Sequence, residues 1–153
     1  MTNLKPAIRA GARRLVWLSL FLCLTVGCYS SDYRRQTAAT ASMLGDLAQK
    51  LGDFCRADFK LDHRQVSSEE MGEFYYALRK ARSYASEASS NSDRQSYQDL
   101  TRLIEDYARL LGDADRYRLS GQPDPQRLAA ILAAQERVRG EARAVVAKLQ
   151  AGG

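Results

Sequence analysis

Apolar residues recur at helical spacing along most of the chain beyond residue 36. In the first such segment, from about Thr37 to Asp58, they follow one another at alternating intervals of four and three residues, which places them on one face of a helix. This stripe consists of Thr40, Leu44, Leu47, Leu51, Phe54 and Asp58. No segment shows the sustained two-residue alternation that is typical of a strand. The pattern predicts an all-α domain.

Three more helices follow from start signals and apolar stripes. The second begins at a capping box formed by Ser67 and Glu70, and the third at the similar pair Ser92 and Gln95. The fourth begins where Pro125 follows an Asp, because a proline lacks the N–H group that would be unpaired in the first turn. Four helices of about 20 residues with short connections predict an antiparallel four-helix bundle over residues 37–153.

Two glycines interrupt the first helix without ending its apolar stripe. Gly45 and Gly52 lie one heptad apart, each between a leucine and an aspartate. A glycine inside a helix costs about 1 kcal/mol relative to alanine, so the pair indicates either a close helix crossing or a break. The continuous stripe favours the close crossing.

The first part of the chain has the order of a secretory signal peptide. Residues 1–14 carry four positive charges and no negative one, and Leu15 to Val26 are twelve uncharged, mostly apolar residues. A membrane-spanning helix needs about 20 apolar residues, and polar residues return soon after Tyr29. We therefore expect a removable segment; a permanent membrane anchor and a soluble secreted protein are the alternatives.

The end of the apolar run, Leu24-Thr25-Val26-Gly27-Cys28, resembles the lipobox of bacterial lipoprotein precursors. The resemblance implies cleavage between Gly27 and Cys28 and the attachment of fatty-acyl chains such as palmitate to Cys28. Tyr29, where an aspartate would favour inner-membrane retention, implies the periplasmic face of the outer membrane in a Gram-negative envelope. The predicted division is a signal peptide (1–27), a lipidated tether (28–36) and a helical domain (37–153).

The net charge of +5 at first suggests a nucleic-acid partner. Four of the 23 basic residues, however, lie before the predicted cleavage point, where there is no acidic residue. The remaining chain has 19 basic and 18 acidic residues and is nearly neutral. The sequence therefore predicts no nucleic-acid partner and assigns membrane contact to the lipid.

Few residues of the sequence are candidates for catalysis or metal binding. Cys55 has no partner left within the processed chain, so we predict a buried thiol, with an intermolecular disulfide as the alternative. His63, the single histidine, could form part of a metal site with Cys55 and Asp58, but the spacing of these residues matches no zinc-binding pattern. Without a recognisable nucleophile and base, the sequence predicts no metal, no cofactor and no enzyme.

The eight tyrosines are the remaining unusual feature. Tyr97, Tyr107 and Tyr117 fall on the third apolar stripe, whereas Tyr76 and Tyr84 are candidates for an exposed protein-binding patch. We expect a noncatalytic, membrane-tethered module that binds or assembles an envelope protein. In lipid, size and helix content it is similar to secretion pilotins, which escort outer-membrane secretin subunits. The alternative is a periplasmic bundle that binds a small ligand or metal through Cys55, His63 and the tyrosines.

Overall fold

The computed structural model describes residues 32–61, 64–89 and 94–151. Within these ranges the chain is helical apart from one short hairpin, which confirms the prediction of an all-α domain. The helices are α1 (residues 32–56), α2 (Ser68–Ala88), α3 (Arg94–Ser120) and α4 (Pro125–Ala151). The predicted cleavage and lipidation residues, Gly27 and Cys28, lie outside the described residues.

The start signals of α2 and α4 act as predicted. The Ser67 hydroxyl accepts a hydrogen bond from the Glu70 amide at 3.1 Å, and the Glu70 carboxylate accepts one from the Ser67 amide at 2.7 Å. This exchange satisfies two amide donors that have no partner inside the helix. At α4, the Asp124 carboxylate accepts from the amides of Gln126 and Arg127. The proposed start at Ser92 lies outside the described residues, and α3 is helical from Arg94.

Both ends of the first helix differ from the prediction. The helix already includes residue 32, so residues 32–36, which the sequence assigned to the tether, are helical. The reason is tertiary: Tyr33 is buried, and its ring stacks on that of Tyr84 of α2. At the other end the helix stops at residue 56, and Asp58 is an exposed turn residue rather than part of the apolar stripe.

The turn after α1 leads into a hairpin that the sequence did not predict. Asp58 and Phe59 both have φ of 55°, a left-handed conformation that ends a helix. Strands β1 (Lys60–Leu61) and β2 (Arg64–Gln65) then pair antiparallel. The Phe59 amide donates to the Phe54 carbonyl, and the Val66 amide donates to the Phe59 carbonyl. Two-residue strands are too short to show a strand pattern.

The core is formed by one apolar stripe from each helix. Its largest fully buried side chains include Tyr107, Phe74, Leu44 and Leu51. The predicted inward position of the third-stripe tyrosines is confirmed, since Tyr107 and Tyr117 are buried and Tyr97 packs against the core. Helix α3 packs against both α2 and α4. Within the described ranges, no helix is long and apolar enough to cross a membrane.

Helix α1 crosses α4 at its two glycines. A Cβ atom on Gly45 would lie 3.0 Å from the Cβ of Ala142, and one on Gly52 would lie 2.7 Å from the side-chain amide of Gln135. The helix continues through both positions without a break. The close-crossing interpretation of the two glycines is therefore confirmed.

Candidate functional site

The two tyrosines proposed as one exposed patch lie in different surroundings. Tyr76 is 61% exposed, and the Arg79 guanidinium lies 5.7 Å from the centre of its ring. Tyr84 is half-buried and packs against the core. Its hydroxyl donates to the Tyr33 carbonyl at 3.2 Å and lies 3.4 Å from the Thr37 hydroxyl. Tyr76 is therefore exposed, whereas Tyr84 is only partly accessible from the surface.

Tyr84 instead lines an open groove between α1 and α2, which we call the α1–α2 groove. Its volume is about 280 Å³, and its surface is mainly apolar. The walls come from about two turns of α1 and one turn of α2: Gln36, Ala39, Thr40 and Met43 of α1, and Lys80, Ala81 and Tyr84 of α2. Lys80 is exposed at its rim. The sequence singled out Tyr84 but not the groove, because α1 supplies its other wall.

A second groove, the α1–α4 groove, lies on the other side of α1 and also measures about 280 Å³. Its floor is formed where the two helices cross, by Gly45, Ala142 and Val146. The small size of Gly45 and Ala142 lets the backbones approach and leaves the floor apolar. Charged side chains border it on both helices, with Asp46 on α1 and Arg143 on α4.

A carboxyl pair joins α3 to α4. Asp106 is buried, and it shares a hydrogen bond with Glu141 and forms an ion pair with Arg109. Burial favours the neutral form of Asp106, but the bonds from Glu141 and Arg109 outweigh it and lower its pKa. Burial and the bond to Asp106 raise the pKa of Glu141. The two groups thus share one proton over an acidic range.

Cys55 has the environment predicted for a structural thiol. It is buried beside Phe54, and burial raises its pKa to about 12 despite the neighbouring Arg56. A thiol that stays protonated is a poor nucleophile and a poor metal ligand. His63 lies outside the described residues, and among the residues that the structure does describe no three His, Cys, Asp or Glu side chains are grouped for a metal.

A polar cleft lies near the turn between α3 and α4. It is smaller, about 170 Å³, and is lined by the hairpin and by the turn, including Phe59, Tyr117 and Arg118. Arg118 is held at Asp115 by two hydrogen bonds, so its charge is already paired. The two grooves beside α1 are therefore the better candidates for binding.

No known protein family, curated protein or solved structure matches the chain.

Proposed function

We propose that this chain is a noncatalytic, lipid-anchored module that binds an envelope protein in the α1–α2 groove. The observation that carries the proposal is the form of this groove: it is apolar, open to solvent and set beside a packed core. A small-ligand site typically encloses its ligand with converging polar groups. An open apolar groove is instead suited to side chains of a protein segment.

The proposed arrangement is an antiparallel four-helix bundle. Contacts between three regions of the helices support it, and in two of them the start of one helix meets the end of another. Tyr33 of α1 contacts Tyr84 of α2, and Asp99 of α3 pairs with Lys148 of α4 at 2.6 Å. Along α1 and α4, Gly45 lies at Ala142 and Gly52 at Gln135, so residue numbers rise on one helix as they fall on the other.

The proposed lipid would determine how far the α1–α2 groove lies from the membrane. The proposed lipidation residue, Cys28, precedes the described start of α1 by four residues. At 1.5 Å per residue, the α1 wall of the groove, from Gln36 to Met43, lies about 6–17 Å along the helix from residue 32. The lipid at Cys28 would therefore hold the groove close to the membrane, within reach of an envelope protein at the periplasmic face of the outer membrane.

The groove also indicates the chemistry of its partner. Its apolar walls suit an amphipathic segment that inserts one or two apolar side chains. Lys80 at the rim suits a carboxylate on the same segment, and Tyr76 extends the surface one turn along α2. We assign Tyr84 to the groove wall and Tyr76 to its margin.

Site-specific photocrosslinking tests this function. A benzophenone side chain at position 80, introduced into the full lipidated chain, should give an adduct of defined mass with one envelope protein. Ala39→Arg fills the groove from an exposed position and should reduce the adduct at least about tenfold, the loss expected for about 1.4 kcal/mol. Gln98→Arg, on the exposed surface of α3, should leave it unchanged.

Three results would contradict the proposal. One is the absence of any adduct at position 80. A second is the same adduct from benzophenone at Arg102 of α3, since a probe there faces away from the groove. Loss of the adduct in both arginine variants would also count against the groove, because binding would then depend on general surface charge.

A further inference from the structure

The α1–α4 groove is bordered by two opposite charges that have no partner among the described residues. Asp46 and Arg143 are both exposed. Neither side chain forms a hydrogen bond or ion pair within the part of the chain that the structure describes, whereas the neighbouring Arg139 pairs with Glu136. The groove therefore presents an unpaired negative charge on one wall and an unpaired positive charge on the other.

The two charges lie at nearly the same height on the two helices. Each follows one member of a touching pair: Asp46 follows Gly45, and Arg143 follows Ala142. At 1.5 Å per residue, their heights differ by at most about 3 Å. A two-fold axis parallel to the helices brings residues of equal height together, so the groove is complementary to a second copy of itself.

We propose that the occupant of the α1–α4 groove is a second copy of this chain, in a symmetric dimer. Asp46 of each copy pairs with Arg143 of the other, and the apolar floor at Ala142 and Val146 is covered. A two-fold axis in this direction leaves both amino ends on the same side, as two anchored copies require. The dimer itself does not depend on the proposed lipid or on the α1–α2 groove.

The exposed face of α4 beside the groove fits this arrangement. Along its centre the side chains are small, with Ala133, Gly140, Ala144 and Ala147 all exposed. A Cβ atom on Gly140 would meet nothing within 4 Å, so the fold of one copy does not require glycine there. Small side chains allow two helices to pack with their backbones close together. The charges of Asp46 and Arg143 thus select the partner, and the small residues on this face of α4 allow the two copies to pack closely.

Charge reversal with two tagged copies provides the test. The full chain is expressed with two different affinity tags, extracted in mild detergent and purified through one tag, and the other tag is then measured. Wild-type copies should copurify. Two copies of Asp46→Arg, or two of Arg143→Asp, should copurify at least about tenfold less, because each interface then carries two like-charge pairs.

The mixed pair is decisive. When Asp46→Arg is expressed with Arg143→Asp, both interchain pairs are again of opposite charge, and copurification should return. An effect confined to one chain cannot produce this recovery. Glu69→Arg and Arg82→Asp, which reverse exposed charges on α2, serve as controls and should copurify like the wild type. Circular dichroism of every variant checks that each is folded.

Three outcomes would overturn the dimer. Wild-type copies that do not copurify exclude it directly. Single variants that copurify with themselves as well as the wild type show that the charges are not at an interface. A mixed pair that fails to recover excludes the proposed pairing. If the reversals instead release a different protein while wild-type copies stay apart, the groove binds another chain and the proposal is wrong.

Discussion

Gln135 is a buried polar residue in the middle of α4, and the fold accommodates it at Gly52. Its side-chain oxygen accepts a hydrogen bond from Arg56 at 3.1 Å, and Arg56 also pairs with Asp53 and Glu136. The absence of a side chain at Gly52 provides the space that the Gln135 amide fills. A glycine that costs helix stability locally thus permits a polar link between α1 and α4.

Gly52→Ala should destabilise the protein. The new Cβ would lie 2.7 Å from the side-chain amide of Gln135, which is fully buried, so that amide would have to move within the core. Overpacking of this kind costs about 1–3 kcal/mol, which exceeds the gain of about 1 kcal/mol from helix propensity. The free energy of unfolding in urea measures the difference.

Gly72→Ala is the matched control for that substitution. Gly72 is also inside a helix, but a Cβ there meets nothing within 4 Å. It should therefore stabilise the protein by up to about 1 kcal/mol. If Gly52→Ala instead raised the stability as Gly72→Ala does, the close crossing would not explain why residue 52 is a glycine.

Between elements, α3 and α4 are joined by a row of charged contacts one heptad apart. Asp99 of α3 pairs with Lys148 of α4, and seven residues along, Asp106 meets Glu141. The first contact is an ordinary ion pair, whereas the second joins two acids. Arg109, Arg137 and Arg102 lie near this second pair and offset part of its negative charge. In the second contact the pKa of Asp106 is lowered and the pKa of Glu141 is raised, so the two acids respond to pH in opposite directions.

Glu141→Gln should stabilise the protein at neutral pH. Because the folded pKa of Glu141 is raised, its contribution to stability is present below the usual pKa of 4.5 and is lost as the pH rises through the folded value. An amide keeps donating to Asp106 and carries no charge. We expect a gain of up to about 1 kcal/mol at pH 7, the size of one hydrogen bond.

The gain from Glu141→Gln should shrink as the pH falls towards 4.5, the usual pKa of Glu141. Thermal unfolding between pH 4 and pH 8 measures this dependence. Asp106 responds in the opposite sense. Because its folded pKa is lowered, its contribution to stability is present at higher pH and is lost as the pH falls through the folded pKa. Glu105→Gln, on the exposed side of α3, is the control. An equal pH dependence in both variants would show that the pair is not coupled to folding.

At the scale of the whole molecule, the lipid proposed at Cys28 would decide where the chain works. Cys28→Ser, or treatment with globomycin, should leave the precursor uncleaved and abolish incorporation of labelled palmitate. Cys23→Ser is the matched control, because Leu22 before it does not fit the small residue of a lipobox. Normal processing of the Cys28 variant, or loss of processing in the Cys23 variant, would contradict the assignment.

Much of the helical organisation could be predicted from local signals. The capping box at Ser67 and the Asp124–Pro125 start place α2 and α4, and the turn at Gly121, with φ of 62°, separates α3 from α4. These signals work because they satisfy backbone donors within a few residues. The hairpin was missed because left-handed residues at Asp58 and Phe59 are not recognisable from residue type alone, least of all at a phenylalanine.

The candidate sites depended on contacts between distant residues. The sequence predicts that Tyr84 is exposed, yet it is half-buried. Tyr33 and Thr37, more than 40 positions earlier, account for this, because Tyr33 stacks on its ring and both residues contact its hydroxyl. The same contact turns the predicted tether at residues 32–36 into helix. Neither effect is visible along the chain, because each requires two helices to be brought together.

The amino-acid sequence alone indicated four helical segments, apart from the ends of α1, and the apolar face of each, and it favoured a close crossing at two glycines. Those properties follow from spacing and backbone chemistry within one segment. The tertiary structure decided that Tyr84 is half-buried in a groove wall while Tyr76 is exposed, and that α1 has a groove on each side. It also decided that Asp46 and Arg143 border one groove without a partner among the described residues. A groove has walls from two helices, so only their packing defines it.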